Sequence, residues 1–156
     1  FAGSNMTEMR ALTSNEWSVW RYQSNLTGDQ TIVCGGMNDT AQNMGLAICI
    51  EGHNPDSPVG TVGHKIATGT APNASCSDAV IGDFVVSALF AQSGSGVSIS
   101  SWGSTQIERR AYSAGGTATI YGALSSEDAK SVIEQSSATL SGSKTWGMAV
   151  VPVRPL

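Results

Sequence analysis

Short runs of alternating apolar and polar residues recur along this chain of 156 residues, and residues that break regular structure separate them. Glycine pairs and an Asn-Pro-Asp turn stand between the runs, as does a Ser-Gly-Ser-Gly stretch. The runs cover residues 17–22, 31–34, 46–50, 62–67, 84–90, 97–102, 106–112, 117–124 and 146–153. Many short strands at this spacing are typical of a sandwich or barrel. The pattern predicts an all-β fold, an antiparallel β-sandwich of jelly-roll or immunoglobulin-like type, with residues 1–156 as a single domain.

One segment departs from the strand pattern. Residues 127–135 contain helix-compatible side chains, and Ser126 precedes them as a potential N-cap. The segment is too short to define a helical domain. We expect a loop or one short helix there.

The composition argues against nucleic acid binding, and the length of the apolar runs argues against a membrane span. Charged residues make up 13% of the chain and its formal net charge is −4, against about a quarter charged residues in average domains. The few basic residues are scattered, whereas a nucleic-acid-binding face needs clustered Lys and Arg. The apolar runs fall short of the roughly 18 residues of a transmembrane helix. We therefore expect neither nucleic acid binding nor a membrane span.

Cysteines and glycosylation sequons leave alternatives open. Cys34 and Cys49 would come near each other if they lay on consecutive antiparallel strands, and a disulfide could then join them. Otherwise Cys34, Cys49 and Cys76 are small buried hydrophobic residues. Sequons occur at Asn5, Asn25, Asn38 and Asn73, and they matter only if the source glycosylates secreted proteins.

No arrangement of residues indicates catalysis or a cofactor. The chain has two histidines, His53 and His64, and lacks the Gly-x-Ser-x-Gly pattern of a hydrolase. A metal site would have to collect Glu51, His53, Asp56 and His64, which have no defining spacing. Asp78 and Asp83 flank the start of a predicted strand, where capping of a turn is the ordinary role. We predict a non-enzymatic protein without metal or cofactor.

The aromatic residues of the first clear strand are the candidate binding residues. Trp17 and Val19 share one face of this strand, while Trp20 and Tyr22 share the other. One of the two pairs should therefore point outward or into an interface. Trp17, Trp20 and Tyr22 are predicted to contact a neighbouring subunit or, alternatively, to stack on a glycan, because aromatic side chains supply large contact area.

Several sequence runs resemble a known group of proteins. They are Phe1-Ala2-Gly3-Ser4-Asn5-Met6-Thr7, residues 17–22 with 26–33, Pro58-Val59-Gly60, residues 82–86 and the closing run 146–155. Together they resemble the β-sandwich modules of phage virion proteins and of secreted bacterial surface proteins. The resemblance implies the fold strongly and the function weakly, because the shared motifs are strand ends and turns.

The chain departs from this pattern at its start, where members of the group carry additional strand sequence. A sandwich that lacks its first strand would leave an unpaired edge, which is a template for pairing with another chain. We therefore expect a neighbouring subunit, or a separate segment of the parent protein, to cover that edge.

These observations favour a structural protein of a phage virion surface, either capsid-decorating or tail-associated. It would bind neighbouring protein subunits as a homo-oligomer or as part of the virion shell. The alternatives are a secreted adhesion or carbohydrate-binding module of the bacterial cell surface, and an extracellular fibre subunit.

Overall fold

The computed structural model describes residues 7–13, 17–21, 45–93, 96–114 and 119–156. The chain divides into two compact units, Phe1–Asn43 and Met44–Leu156. In the first unit, β1 (Thr7–Thr13) and β2 (Trp17–Arg21) form an antiparallel pair. The strand predicted over residues 17–22 is thus confirmed, whereas the run 31–34 lies outside the described residues.

The second unit consists of two antiparallel sheets that pack together as a β-sandwich, which confirms the predicted fold class. The five-stranded sheet has the order β3-β10-β5-β8-β7, and the three-stranded sheet has the order β4-β9-β6. The strands are β3 (Gly63–Gly69), β4 (Asn73–Cys76), β5 (Phe84–Ser93), β6 (Ile99–Trp102), β7 (Ile107–Ala114), β8 (Thr119–Asp128), β9 (Glu134–Leu140) and β10 (Lys144–Val153).

The core lies between the two sheets and centres on β5 and β10. Val85 and Leu89 of β5 and Met148 and Val150 of β10 are fully buried. These residues alternate along their strands, as the pleat requires for side chains that share one face. Burial of this apolar face is the main favourable contribution to the stability of the sandwich.

The strand predicted over residues 46–50 is not formed. These residues have no regular structure, and Ile48 and Cys49 are exposed. Instead, the chain after Gly52 runs beside the end of β10 and makes isolated bridges between His53 and Pro155 and between Val59 and Val153. An apolar run needs a partner strand to become a strand, and residues 46–50 pair with none of the described strands.

Residues 127–135 contain no helix. Glu127 and Asp128 end β8, residues 129–133 form a loop, and Glu134 begins β9. The loop expected here is confirmed, and the alternative of a short helix is wrong. In this loop, the amides of Lys130 and Ser131 donate to the carboxylate of Glu134, which lies in the next strand.

Three sheet edges of the sandwich, β4, β6 and β7, are short, irregular or charged, whereas the fourth edge, β3, is a regularly paired strand of seven residues. Strands β4 and β6 have four residues each. The pairing of β6 is irregular between Ile99 and Ser101, and that of β7 between Glu108 and Arg110. Arg109 and Arg110 of β7 are exposed. Such edges resist the addition of another strand. The missing upstream strand and the single domain stay predictions.

Gly63 lies where β3 of one sheet crosses β4 of the other. A Cβ atom at this position would lie 1.8 Å from the backbone oxygen of Ser75 and 2.8 Å from the nitrogen of Cys76. The backbone atoms of β4 cannot move aside as the end of a flexible side chain can. The two strands can therefore approach this closely because residue 63 has no side chain.

We expect Gly63→Ala to lower the free energy of unfolding by about 3 kcal/mol or more, because the added methyl group forces the backbones of β3 and β4 apart. Urea denaturation followed by tryptophan fluorescence measures the loss. Gly45→Ala is the matched control, since no heavy atom lies within 4 Å of a Cβ built there. Equal stability of the two variants would contradict the close contact.

Candidate functional site

Four large aliphatic side chains are exposed together at one end of the sandwich. We name Val80, Ile81, Val132 and Ile133 the apolar tip; their side chains are 56%, 75%, 61% and 65% exposed. Val80 and Ile81 lie between β4 and β5, and the other two lie between β8 and β9. Both connections cross from one sheet to the other at the same end, since β4 pairs with β9 and β5 pairs with β8.

Backbone contacts and a buried carboxylate fix the first turn of the apolar tip. Asp83 is 3% exposed, and its Oδ2 accepts a hydrogen bond from the Val80 amide at 2.9 Å. The Asp83 amide donates to the Val80 carbonyl at 2.8 Å, and Gly82 between them has a φ of 99°. The predicted turn-capping role of Asp83 is confirmed. The Ala79 amide also donates to the Val132 carbonyl at 3.2 Å, which joins the two connections.

A second buried carboxylate fixes the other half of the apolar tip. Glu134 is 8% exposed, and its Oε1 accepts hydrogen bonds from the amides of Lys130 and Ser131. Hydrogen bonds to a charged acceptor are stronger than neutral ones. The loop that carries Val132 and Ile133 is therefore held in one conformation, and the apolar tip is a preorganised surface.

We expect Glu134→Ala to loosen this loop. Loss of the shared acceptor should speed hydrogen exchange at the Lys130 and Ser131 amides and lower stability by about 1–3 kcal/mol. Amide exchange measured by NMR and urea denaturation test both effects. Glu51→Ala, at an exposed glutamate, should change neither, and unchanged exchange in Glu134→Ala would show that the carboxylate does not hold the loop.

Cys76 lies beneath the apolar tip, paired with Glu134 in the β4–β9 ladder. Its side chain is buried, and Sγ donates to the carbonyl of Glu134 at 3.8 Å. Burial raises the pKa of the Cys76 thiol above its ordinary value. The expectation of a small buried residue is confirmed for Cys76 and wrong for Cys49, which is exposed. Cys34 lies outside the described residues, so the alternative of a Cys34–Cys49 disulfide is not tested, although Cys49 does not lie on the strand that this alternative assumed.

We expect the native protein to resist iodoacetamide at Cys76 at neutral pH. The thiolate is the reactive species, and a raised pKa together with burial leaves little of it accessible. Peptide mass spectrometry should find Cys76 unmodified in the native protein and modified after denaturation in urea. Rapid native labelling would mean that the end of β4 opens readily.

A groove of about 490 Å³ lies against the three-stranded sheet. Its lining includes Asn73 of β4, Gln135, Ser137 and Thr139 of β9, and Trp102 with Gly103 at the end of β6. We name it the polar groove. Gln135, Ser137 and Thr139 share one face of β9, because successive residues of a strand point to opposite sides.

Hydrogen bonds to β9 hold both walls of the polar groove. The Gly103 amide donates to the carbonyl of Ser137, and the Ala138 amide donates to the carbonyl of Pro72, each at 2.9 Å. The indole Nε1 of Trp102 donates to Oε2 of Glu108 at 2.9 Å. These contacts fix the two walls and the floor relative to each other.

A third group of polar residues is buried between the sheets. Oε1 of Glu127 accepts a hydrogen bond from the Ser136 hydroxyl at 3.2 Å, and the Ser87 hydroxyl donates to Ser136 at 2.5 Å. The Thr105 hydroxyl donates to the other oxygen of Glu127. Ser87 and Ser136 are almost completely buried, so no substrate reaches these hydroxyls. The network joins the sheets and is not an open catalytic site.

The structure does not gather the residues considered for a metal site. His53 lies opposite Pro155, and His64 lies on β3 opposite Ala149. Among the described residues, no three His, Cys, Asp or Glu side chains form a group that could hold a metal ion. The turn-capping role predicted for Asp78 is wrong, because its carboxylate accepts hydrogen bonds from the amide and hydroxyl of Thr61, 17 residues earlier, and forms an ion pair with Arg154 at 3.7 Å.

The predicted aromatic binding residues lie in the N-terminal unit. Trp17 lies opposite Thr13, and Trp20 lies opposite Glu8 in the β1–β2 pair. Tyr22 lies outside the described residues. The contact of these three residues with a subunit or glycan stays a prediction. In the described ranges, no helix has the length and apolar character needed to cross a membrane.

Sequence reasoning missed both surfaces described above. The adjacent apolar pairs Val80-Ile81 and Val132-Ile133 were available as a signal, since Gly82 follows the first pair and Ser131 and Glu134 flank the second. No protein-family model matches the chain, and comparisons with curated proteins and with solved structures give no match. The functional argument therefore depends on the geometry of these surfaces.

Proposed function

We propose that this protein is a non-enzymatic structural protein of a phage virion surface, capsid-decorating or tail-associated, which binds neighbouring protein subunits. The observation that carries the proposal is the apolar tip. Four aliphatic side chains, each more than half exposed, present on the order of 400 Å² of apolar surface, a size at which exposed patches mark interaction sites.

The rigidity of the apolar tip supports binding to a protein. Asp83 and Glu134 are both buried and both hold the backbone of the turns that display the aliphatic side chains. A contact surface that is already ordered loses less conformational entropy when it binds. The short, bulged or charged edges at β4, β6 and β7 favour contact through this tip over strand addition at those edges.

The area of the apolar tip supports a contact within a larger assembly. A stable interface between two proteins buries about 800 Å² on each partner, roughly twice what the tip offers. The tip would therefore be the apolar centre of a contact whose rim is polar. Repeated copies on one particle would add avidity to such a contact. The sequence resemblance to virion β-sandwich modules supports the same assignment.

The test is whether the chain co-purifies with virus particles from the source culture on a density gradient. We expect a fixed copy number relative to the major shell protein. The variant Ile81→Ser/Ile133→Ser should reduce that copy number by about tenfold, the effect of losing about 1.4 kcal/mol of binding free energy. Particles assembled with Ile107→Ser serve as the control, because Ile107 is 57% exposed on β7, outside the tip.

Three results would contradict parts of the proposal. Absence of the chain from purified particles would overturn the virion assignment. Normal incorporation of the double variant would overturn the role of the apolar tip. Equal loss for Ile107→Ser would mean that binding does not depend on the tip specifically.

The second candidate is a secreted adhesion or carbohydrate-binding module. It would use the polar groove, whose lining offers amide and hydroxyl side chains. A sugar-binding groove gains from an exposed aromatic ring on which the sugar packs, whereas the Trp102 indole packs against the core. The third alternative, a fibre subunit, requires strand donation between copies, which the edges at β4, β6 and β7 disfavour.

A further inference from the structure

We propose that two copies of this chain exchange strands. Residues 47–51 of each copy, which we name the donor segment, pair with the edge strand β3 of the other copy. The contact concerns a surface other than the apolar tip, and it does not depend on the virion assignment. Three features support it: the regular edge at β3, the exposed donor segment, and the match between their side chains.

Strand β3 is an edge strand suited to accept another strand. It pairs with β10 through seven consecutive residues without a register shift, and none of the described strands pairs with its other side. An edge strand presents backbone amides and carbonyls on which a further strand can pair. The described edges at β4, β6 and β7 are short, bulged or charged, so strand addition is favoured at β3.

The donor segment has the pattern of a strand but belongs to none of the described strands. Ile48 and Ile50 alternate with Ala47 and Cys49, and isoleucine favours the extended backbone of a sheet. The segment has no regular structure, and Ala47, Ile48 and Cys49 are exposed. Pairing with a strand would bury part of this apolar surface, which is favourable.

The donor segment cannot reach β3 of its own copy. His53 lies opposite Pro155, whereas Lys65 lies opposite Met148, seven residues earlier. These two levels are therefore about 23 Å apart, at about 3.3 Å per residue. The two residues from Glu51 to His53 span at most about 7 Å. Pairing with β3 thus requires a second copy, and because each copy has one donor segment and one β3, the two pairings close a dimer.

One antiparallel register matches the side chains of the donor segment to those of β3. It places these residues opposite each other: Ala47 and Gly69, Ile48 and Thr68, Cys49 and Ala67, Ile50 and Ile66, and Glu51 and Lys65. Apolar pairs and pairs of opposite charge across two strands stabilise a sheet. A shift by one residue in either direction would remove both the Ile50–Ile66 pair and the Glu51–Lys65 pair, so this register is preferred.

Lys65 makes the edge selective. An exposed lysine on an edge strand discourages pairing with other chains. Lys65 is exposed, and its ammonium donates to the neutral Oδ1 of Asn73 at 3.1 Å. Glu51, also exposed, would bring an opposite charge to this lysine. The edge therefore favours its own donor segment over a strand that lacks an acidic residue at this position.

The experiment is sedimentation-velocity ultracentrifugation of the full chain over a range of concentrations, in reducing buffer so that Cys49 cannot link copies by a disulfide. We expect a reversible equilibrium between monomer and dimer. Ile48→Lys should raise the dimer Kd by about tenfold or more, because it adds a charge to the apolar face of the donor segment. Ile107→Lys is the matched control, since Ile107 is an exposed isoleucine of the edge strand β7, and it should dimerise normally.

Charge reversal tests the register. Glu51→Lys should raise the dimer Kd by about fivefold, because it places like charges opposite each other, and Glu51→Lys/Lys65→Glu should restore dimerisation. A purely structural role of either residue would give no such recovery. The Ile81→Ser/Ile133→Ser variant should still dimerise, which separates this result from the role of the apolar tip.

Three results would overturn the inference. The first is a chain that stays monomeric at every concentration, which would leave the edge at β3 to another segment or partner. The second is dimerisation of Ile48→Lys with unchanged affinity. The third is a failure of Glu51→Lys/Lys65→Glu to recover the affinity lost in Glu51→Lys.

Discussion

The buried carboxylate of Glu127 is the constraint on which the packing of the two sheets depends. A carboxylate is costly to remove from water unless donors replace the lost hydration. Glu127, on β8 of the larger sheet, receives hydroxyls from Ser136 of the smaller sheet and from Thr105 of the connection between them. A shift of one sheet over the other would separate these groups. The network therefore specifies one alignment of two otherwise apolar faces.

The connection between β6 and β7 is held in place by further hydrogen bonds to both sheets. Gln106 lies beside Thr105, its Nε2 donates to the Ser125 hydroxyl, and its Oε1 accepts from the Ser137 amide, each at 2.8 Å. One side chain thus bonds to both sheets. Because Gln106 and Thr105 are fixed, Gly103 and Trp102 just before them are held beside β9. The wall of the polar groove is in this way positioned by contacts that also hold the sandwich together.

The strongest apolar runs were predictable from the sequence, and the polar strands were not. Residues 84–90 and 146–153 became β5 and β10, which pair on both sides and bury apolar side chains. Strand β9 was missed because it buries the polar residues Glu134 and Ser136, and the hydroxyl that bonds to Ser136 comes from Ser87, 49 residues away in the sequence. The start of β9 was assigned instead to the helix-compatible segment 127–135, and the apolar pair Val132-Ile133 within that segment was therefore not recognised. Trp102 ends the strand predicted over residues 97–102, but the groove beside it was not predictable, because a groove requires both its walls to be known.

Strand β9 contributes to both the apolar tip and the polar groove, but with opposite faces. Its even-numbered residues, Glu134, Ser136, Ala138 and Leu140, are buried, and Glu134 holds the loop of the apolar tip. Its odd-numbered residues 135, 137 and 139 line the polar groove. Because the pleat assigns alternate residues to opposite faces, one strand stabilises the sandwich with one face and presents polar side chains on the other. The odd-numbered positions can therefore vary without disturbing the core, whereas the even-numbered positions are restricted by burial.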